Sequence, residues 1–209
     1  MTIEIHDHRI RCNTHRYFDV IFYNDTILTL VTHTPAMVDF WISDIQRIHQ
    51  RRLRRLIVGL DTEWRPNFWP NEDNPIAILQ LCVGHRCLIF QLMQAPGIPQ
   101  SLVNFLTNGN YSFVGVGIHN DVEKLYENYQ LHVVNVFDLR DWAVECTGDQ
   151  RLRRAGLKRL ALAIMGKDIQ KPASVTMSWW DNPWLAPLQV QYACIDSFVS
   201  FEIGRICRG

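Results

Sequence analysis

Two carboxylates stand two residues apart at Asp61 and Glu63 in LIVGLDTEW, a third lies at Asp121 in GVGIHND, and Tyr192 and Asp196 are four apart in QYACID. Side chains two apart on a strand point the same way, so Asp61 and Glu63 reach one side of a strand end. Residues four apart on a helix share a face, which pairs Tyr192 with Asp196. Acids gathered this way repel one another unless a cation lies between them. Each piece also has an ordinary alternative: two solvated acids, a helix-capping aspartate at 121, and an amphipathic tyrosine beside a surface acid.

The elements that must hold these residues follow from the apolar pattern. Residues 16–23 and 26–32 read as two strands of a hairpin joined at Asn24-Asp25, and Thr34 caps a helix that begins at Pro35, with Val38, Trp41, Ile42, Ile45 and Ile48 on its apolar stripe. Strands at 56–61, 76–83 and 87–91 form a meander, with Cys82 and Cys87 facing each other as reduced thiols. A short helix after Pro99, a strand at 112–116, a helix near 120–129, a strand near 133–137 and a helix over 139–146 alternate in the way that implies parallel pairing. Helix at 157–165, a loop anchored by Trp179, Trp180 and Trp184, and a closing helix over 187–206 complete a mixed sheet with helices on its faces.

Composition narrows the function. The chain has 209 residues, 47% hydrophobic and 20% charged, which suits one domain over 1–209: a hairpin and helix at about 14–50, then a core at about 56–206. No stretch approaches the roughly 20 apolar residues of a membrane helix, and the N-terminus lacks the order of a secretory signal. A cytoplasmic protein is expected, with the nucleus as the alternative compartment. The six cysteines form no CxxC pair. Zero formal net charge argues against a broad positive field for gripping long duplexes. Arg51, Arg52, Arg54 and Arg55, and then Arg151, Arg153, Arg154, Lys158 and Arg159, are either local phosphate contacts or solvated helix ends and faces.

Taken together, D-x-E, then an acid at a helix start, then Y-x-x-x-D on the last helix resemble the three motifs of the DEDD exonucleases, and the tyrosine places the chain in the DEDDy branch. The resemblance covers about residues 56–204 through LDTEW, ILQLCVG, CLIFQL, VGVGIHNDVEKL, LKRLALAIMGK and QYACIDSF. It is nearest to the Werner-syndrome-type exonuclease domains and to the small stand-alone plant members of that group. The family's last motif is usually alanine-rich, whereas Cys194, Ile195 and Ser197 stand here, and Ala173 or Ser174 replaces a basic residue often found before the Trp segment.

The resemblance implies a ribonuclease H-like (DnaQ-like) α/β fold and a metal-dependent 3'-5' exonuclease that releases nucleoside 5'-monophosphates. It implies that Asp61, Glu63, Asp121 and Asp196 hold two Mg²⁺ or Mn²⁺ ions and that Tyr192 orients the attacking water. Hard oxygen donors suit those ions and disfavour zinc. Thr62, Trp64, His119 and Asn120 are the candidate substrate contacts; Trp64 either stacks on a terminal base or packs in the core, and His119 and Asn120 either touch substrate or serve as core or cap. The partner expected is single-stranded nucleic acid, RNA over DNA, with RNA-silencing machinery implied by the family alone. An exposed hairpin edge at 16–32 and the plant relatives' closed rings together point to a homohexamer. The competing readings are a binding or assembly module of this fold with decayed catalysis, a DNA-directed exonuclease, and a metal-dependent phosphatase or endonuclease.

Overall fold

The computed structural model describes residues 3–208. The strands are β1 (Ile3–Asp7), β2 (His15–Phe22), β3 (Asp25–Thr32), β4 (Leu56–Trp64), β5 (Ile76–Val83), β6 (Arg86–Phe90), β7 (Tyr111–Gly115) and β8 (Val136–Asp138). They form one mixed sheet in the order β1-β2-β3-β6-β5-β4-β7-β8. Its helices are α1 (Pro35–Ile48), α2 (Gln100–Leu106), α3 (Ile118–Tyr129), α4 (Leu139–Thr147), α5 (Leu157–Leu160), α6 (Ala173–Thr176) and α7 (Pro187–Arg208). The expected meander is β4-β5-β6, antiparallel throughout, and β4, β7 and β8 pair in parallel as the strand-helix alternation requires. Cys82 and Cys87 sit opposite each other across it as free, buried thiols.

β5 is central, and every residue of IAILQLCV is buried, which is why it reads as an unbroken apolar run. The long helix α7 lies across one face of β4 and β5, with α4 beside it, while α1 packs on β3 and β6 and meets α2 through Trp41 and Phe105, and Phe105 in turn meets Phe113 of β7. Gly59 sets the distance between α7 and β4: a Cβ there would overlap the Ser197 carbonyl oxygen and come within 2.7 Å of the Phe201 nitrogen. Only glycine lets a helix backbone approach a strand so closely.

Several expectations are corrected. The hairpin loop is Tyr23-Asn24 rather than Asn24-Asp25, because Phe22 pairs with Asp25. Tyr23 takes a positive φ of 58° and is held there by its hydroxyl, which accepts from the Asp168 backbone nitrogen at 2.9 Å; the Asp25 carboxylate accepts from Lys167 at 2.6 Å. Thr34 occupies the N-cap position without a side-chain cap, since its hydroxyl donates to the Thr14 carbonyl. The hairpin is not an exposed edge: β1 covers β2 and β3 pairs in parallel with β6. The strand expected near 133–137 is confined to Val136–Asp138, and the helix expected over 157–165 changes after Leu160 into a π-type turn over Ala161–Met165. Of the three tryptophans expected to anchor the last loop only Trp180 is buried; Trp179 and Trp184 are 53% and 63% exposed.

No described helix is long and apolar enough to cross a membrane.

Candidate active site

β4 does not stop at the first acid but continues through Trp64, with a bulge between Glu63 and Trp64. Gly59, Asp61 and Glu63 therefore share the face covered by α7. α7 is anchored at its start by the Gln189 side chain, which accepts from the Ala186 backbone nitrogen and donates to the Ser178 hydroxyl, each at 2.9 Å. The close crossing at Gly59 then brings Asp196, next to Ser197, against the two acids of β4. Carboxylate oxygens of Asp61, Glu63 and Asp196 all lie within 4.8 Å of one another. Such a set of hard oxygen donors fits a divalent cation.

Asp121 enters from the opposite side. It sits in the first turn of α3, whose start is turned by Gly117 at φ 72°, and its Oδ1 accepts from the Thr62 hydroxyl at 2.6 Å. The Gly117 nitrogen donates at 3.0 Å to Asp138, which also caps α4 and pairs with Arg140. Three of the four acids thus meet directly, and the fourth is fixed beside them through Thr62. Thr62 itself is buried, with its hydroxyl committed to Asp121.

Burial and mutual repulsion raise the proton affinity of the cluster. Desolvation, then the charges of Asp121 and Asp196, push Asp61 well above the usual carboxylate range. Glu63 is pushed up to about 9 by burial and by Asp61 and Asp196. Asp121 rises to about 6 through burial, against the hydrogen bond from Thr62. Asp196 is also raised by burial, although Lys171 pulls it down. Tyr192 is held protonated by burial and the neighbouring carboxylates, so its phenol remains a donor.

An open cleft beside the cluster is lined by Gln170, Pro172, Val175, Gln191, Tyr192 and Asp196. Trp64 is half-buried, with the Lys124 ammonium 5.4 Å from its ring centroid, and His119 and Asn120 are exposed in the first turn of α3. Arg65 stacks over Trp179 at 4.6 Å and pairs with Asp181 at 3.4 Å, tying the end of β4 to the loop before α7. In the second basic cluster Arg151, Arg153 and Lys158 pair with Asp149, Asp141 and Asp168, which reduces the charge they offer to phosphate.

Two residues of the site escaped the sequence reading. Lys171 donates to Asp196 Oδ2 and, at 3.2 Å, to the Tyr192 hydroxyl. Gln80 lies directly opposite Asp61 in β5, fully buried, with neither side-chain polar atom partnered by protein. A glutamine inside IAILQLCV was the available signal for the second; nothing in the spacing of Lys171 pointed to the first.

Residues 38–206 match a family model described as a 3'-5' exonuclease. A 3'-5' exonuclease of Arabidopsis thaliana is 31% identical over 153 residues, which are 72% of this chain and 52% of that protein. The bifunctional 3'-5' exonuclease/ATP-dependent helicase WRN of Mus musculus is 30% identical over 151 residues, 70% of this chain and 10% of that protein. The chain thus spans about half the length of the plant relative and a small part of the mouse one. The Aedes aegypti Nibbler EXO domain superposes with a TM-score of 0.68 over 85% of each chain at 17% identity, which shows the shared ribonuclease H-like fold. By the family model and by these relatives, the chain belongs to the 3'-5' exonuclease family.

Proposed function

We propose that this chain acts as a DEDDy-type, metal-dependent exonuclease on single-stranded nucleic acid, RNA in preference to DNA, and releases nucleoside 5'-monophosphates from the 3' end. The observation that carries the reading is the convergence of Asp61, Glu63 and Asp196, on two separate elements, beside Tyr192 and Asp121. In it the chain is one catalytic unit, with the N-terminal hairpin and α1 built onto the core.

Asp61, Glu63 and Asp196 would hold one Mg²⁺ or Mn²⁺ ion, and Asp121, steadied by Thr62, would contribute to a second next to Asp61. Divalent ions there would neutralise the phosphodiester, supply a water deprotonated near neutral pH and offset charge on the leaving oxygen. The chain's own groups do the positioning. Tyr192 keeps its proton and so can hold a water by donating to it, in line with the cleft that opens on Tyr192 and Asp196. Asp138 and Gly117 fix the start of α3, and with it Asp121. Trp64, next to Glu63 in sequence and half-buried beside Lys124, is the aromatic side chain offered to an unpaired terminal base, a contact that does not read sequence. Preference for RNA rests on resemblance to the small plant members.

Assembly into a hexamer has lost one of its supports, because the hairpin edge is covered. Light scattering at micromolar concentration measures it independently of activity: a hexamer mass would support the ring and a monomer mass would defeat it.

Digestion of end-labelled single-stranded RNA and DNA, with EDTA, Mg²⁺ or Mn²⁺, tests the function. Stepwise release of monophosphates from the 3' end in metal, fastest on RNA, supports the full reading. Equal rates on DNA would remove the RNA preference, and metal-independent release would remove the mechanism.

A further inference from the structure

Lys171 comes from a stretch without regular structure, one residue before Pro172, the N-cap of α6. Its side chain is 31% exposed, while that of Asp196, fixed on α7, is 3% exposed. The ammonium donates to Asp196 Oδ2 and to the Tyr192 hydroxyl at 3.2 Å, and lies 5.1 Å from the centroid of the Tyr192 ring. It therefore stands at the edge of the cluster in which Asp61, Glu63 and Asp196 converge within 4.8 Å. A cation is what that cluster lacks among its own members, and a lysine is a compact point charge on a flexible stem.

We propose that Lys171 is a positioning residue of the exonuclease site: its ammonium is the internal counter-ion that holds Asp196 and Tyr192 in register without metal, and it competes with a divalent cation for Asp196. This rests on the reading of the cluster as a metal site. Of the two partners the lysine is the one that yields, because Asp196 is buried on a rigid helix and Lys171 reaches it from an exposed segment. The cluster has a cost that the lysine offsets: like charges packed together destabilise the fold unless a cation of some kind lies among them. Lys171 thus serves the metal-free protein and opposes metal binding. An ion pair of purely structural importance would stabilise the fold without setting metal affinity.

Calorimetric titration of Mn²⁺ into the full chain, alone and as Lys171→Met and Lys171→Arg, separates these roles. Lys171→Met removes the charge and keeps the length, so it should bind Mn²⁺ at least about tenfold more tightly. Lys171→Arg keeps the charge and should stay close to the unaltered chain. In EDTA, Lys171→Met should melt at a lower temperature than the unaltered chain, and the gap should narrow when Asp196→Asn is added or when Mn²⁺ saturates the site. Unchanged or weaker Mn²⁺ affinity in Lys171→Met would overturn the inference and leave the metal site standing. So would an Arg variant that binds as tightly as the Met variant should. Absence of Mn²⁺ binding by the unaltered chain would instead defeat the metal reading, and this inference with it.

Discussion

The missing side chain of Gly59 and the backbone carbonyl of Ser197 occupy the same space: any Cβ at position 59 would overlap that oxygen. This contact fixes the approach of α7 to β4 two residues before Asp61 and one residue after Asp196. A glycine with no chemistry of its own therefore sets the spacing of the carboxylates.

Gly59→Ala is expected to force α7 away from β4, since the two nearest neighbours of the new methyl, the Ser197 oxygen and the Phe201 nitrogen, are backbone and cannot rotate aside. Overpacking of this kind costs about 1–3 kcal/mol, here with the shift directed along the site. Denaturant unfolding should show that loss, and activity should fall well beyond what the remaining folded fraction explains. Full activity in a folded Gly59→Ala variant would show that the crossing distance does not set the site.

Asp138 predicts a pH dependence of stability. Burial works against its charge, but hydrogen bonds and the charge of Arg140, with the Gly117 backbone donor, hold it below its ordinary 3.8. A depressed carboxylate contributes its stability above the unfolded value and loses it as pH falls through the folded one. Asp138→Asn should therefore cost about 1–3 kcal/mol at neutral pH, with the difference from the unaltered chain shrinking as pH drops below 3.8. A gap in melting temperature that stays constant into acid would contradict the assignment.

Glu63, pushed up to about 9, carries a proton at neutral pH in the absence of metal. A cation bound by Glu63 must displace that proton. Mg²⁺ or Mn²⁺ binding at pH 7 is thus expected to release protons, and its affinity to rise with pH toward 9. Calorimetry in buffers of different ionisation enthalpy reads this directly; no proton release would mean that the acid cluster around Glu63 is already ionised at pH 7, against the raised proton affinity of its members.

Tyr192→Phe deletes a hydrogen-bond donor and leaves every carboxylate in place. Its turnover should fall by roughly tenfold, the equivalent of one lost hydrogen bond, while metal affinity changes far less than in Asp196→Asn. A Phe variant as impaired in metal binding as Asp196→Asn would assign Tyr192 to holding the cluster instead.

The parts of the fold legible in the sequence are those decided by local pattern. β5 announces itself as an apolar run because it is buried on both faces, and α1 because Val38, Trp41, Ile42 and Ile45 recur at helical spacing on its buried side. The closing helix was legible, and so was the pairing of Asp61 with Glu63 on one face. What depends on distant contacts was not. β1 is not legible although Ile3 and Ile5 alternate with Glu4 and His6, because five residues at a sheet edge carry too weak a signal. The hairpin loop slipped by one residue because Tyr23 is held at positive φ by Asp168, far along the chain. Local spacing likewise gave no sign that Thr62 would fix Asp121, or that Lys171 would reach Asp196.

Asp61 is the acid on which the central claim depends most, since it stands in the triad and also beside Asp121. The decisive measurement is the rate of 3'-terminal nucleotide release from end-labelled single-stranded RNA by the unaltered chain and by Asp61→Ala, each in Mg²⁺ and in EDTA. The account predicts metal-dependent release by the unaltered chain and a loss on the order of 10³-fold or more in the variant, with its circular dichroism unchanged. Release by Asp61→Ala at the unaltered rate, or any internal cutting of circular single strands by the unaltered chain, would contradict it.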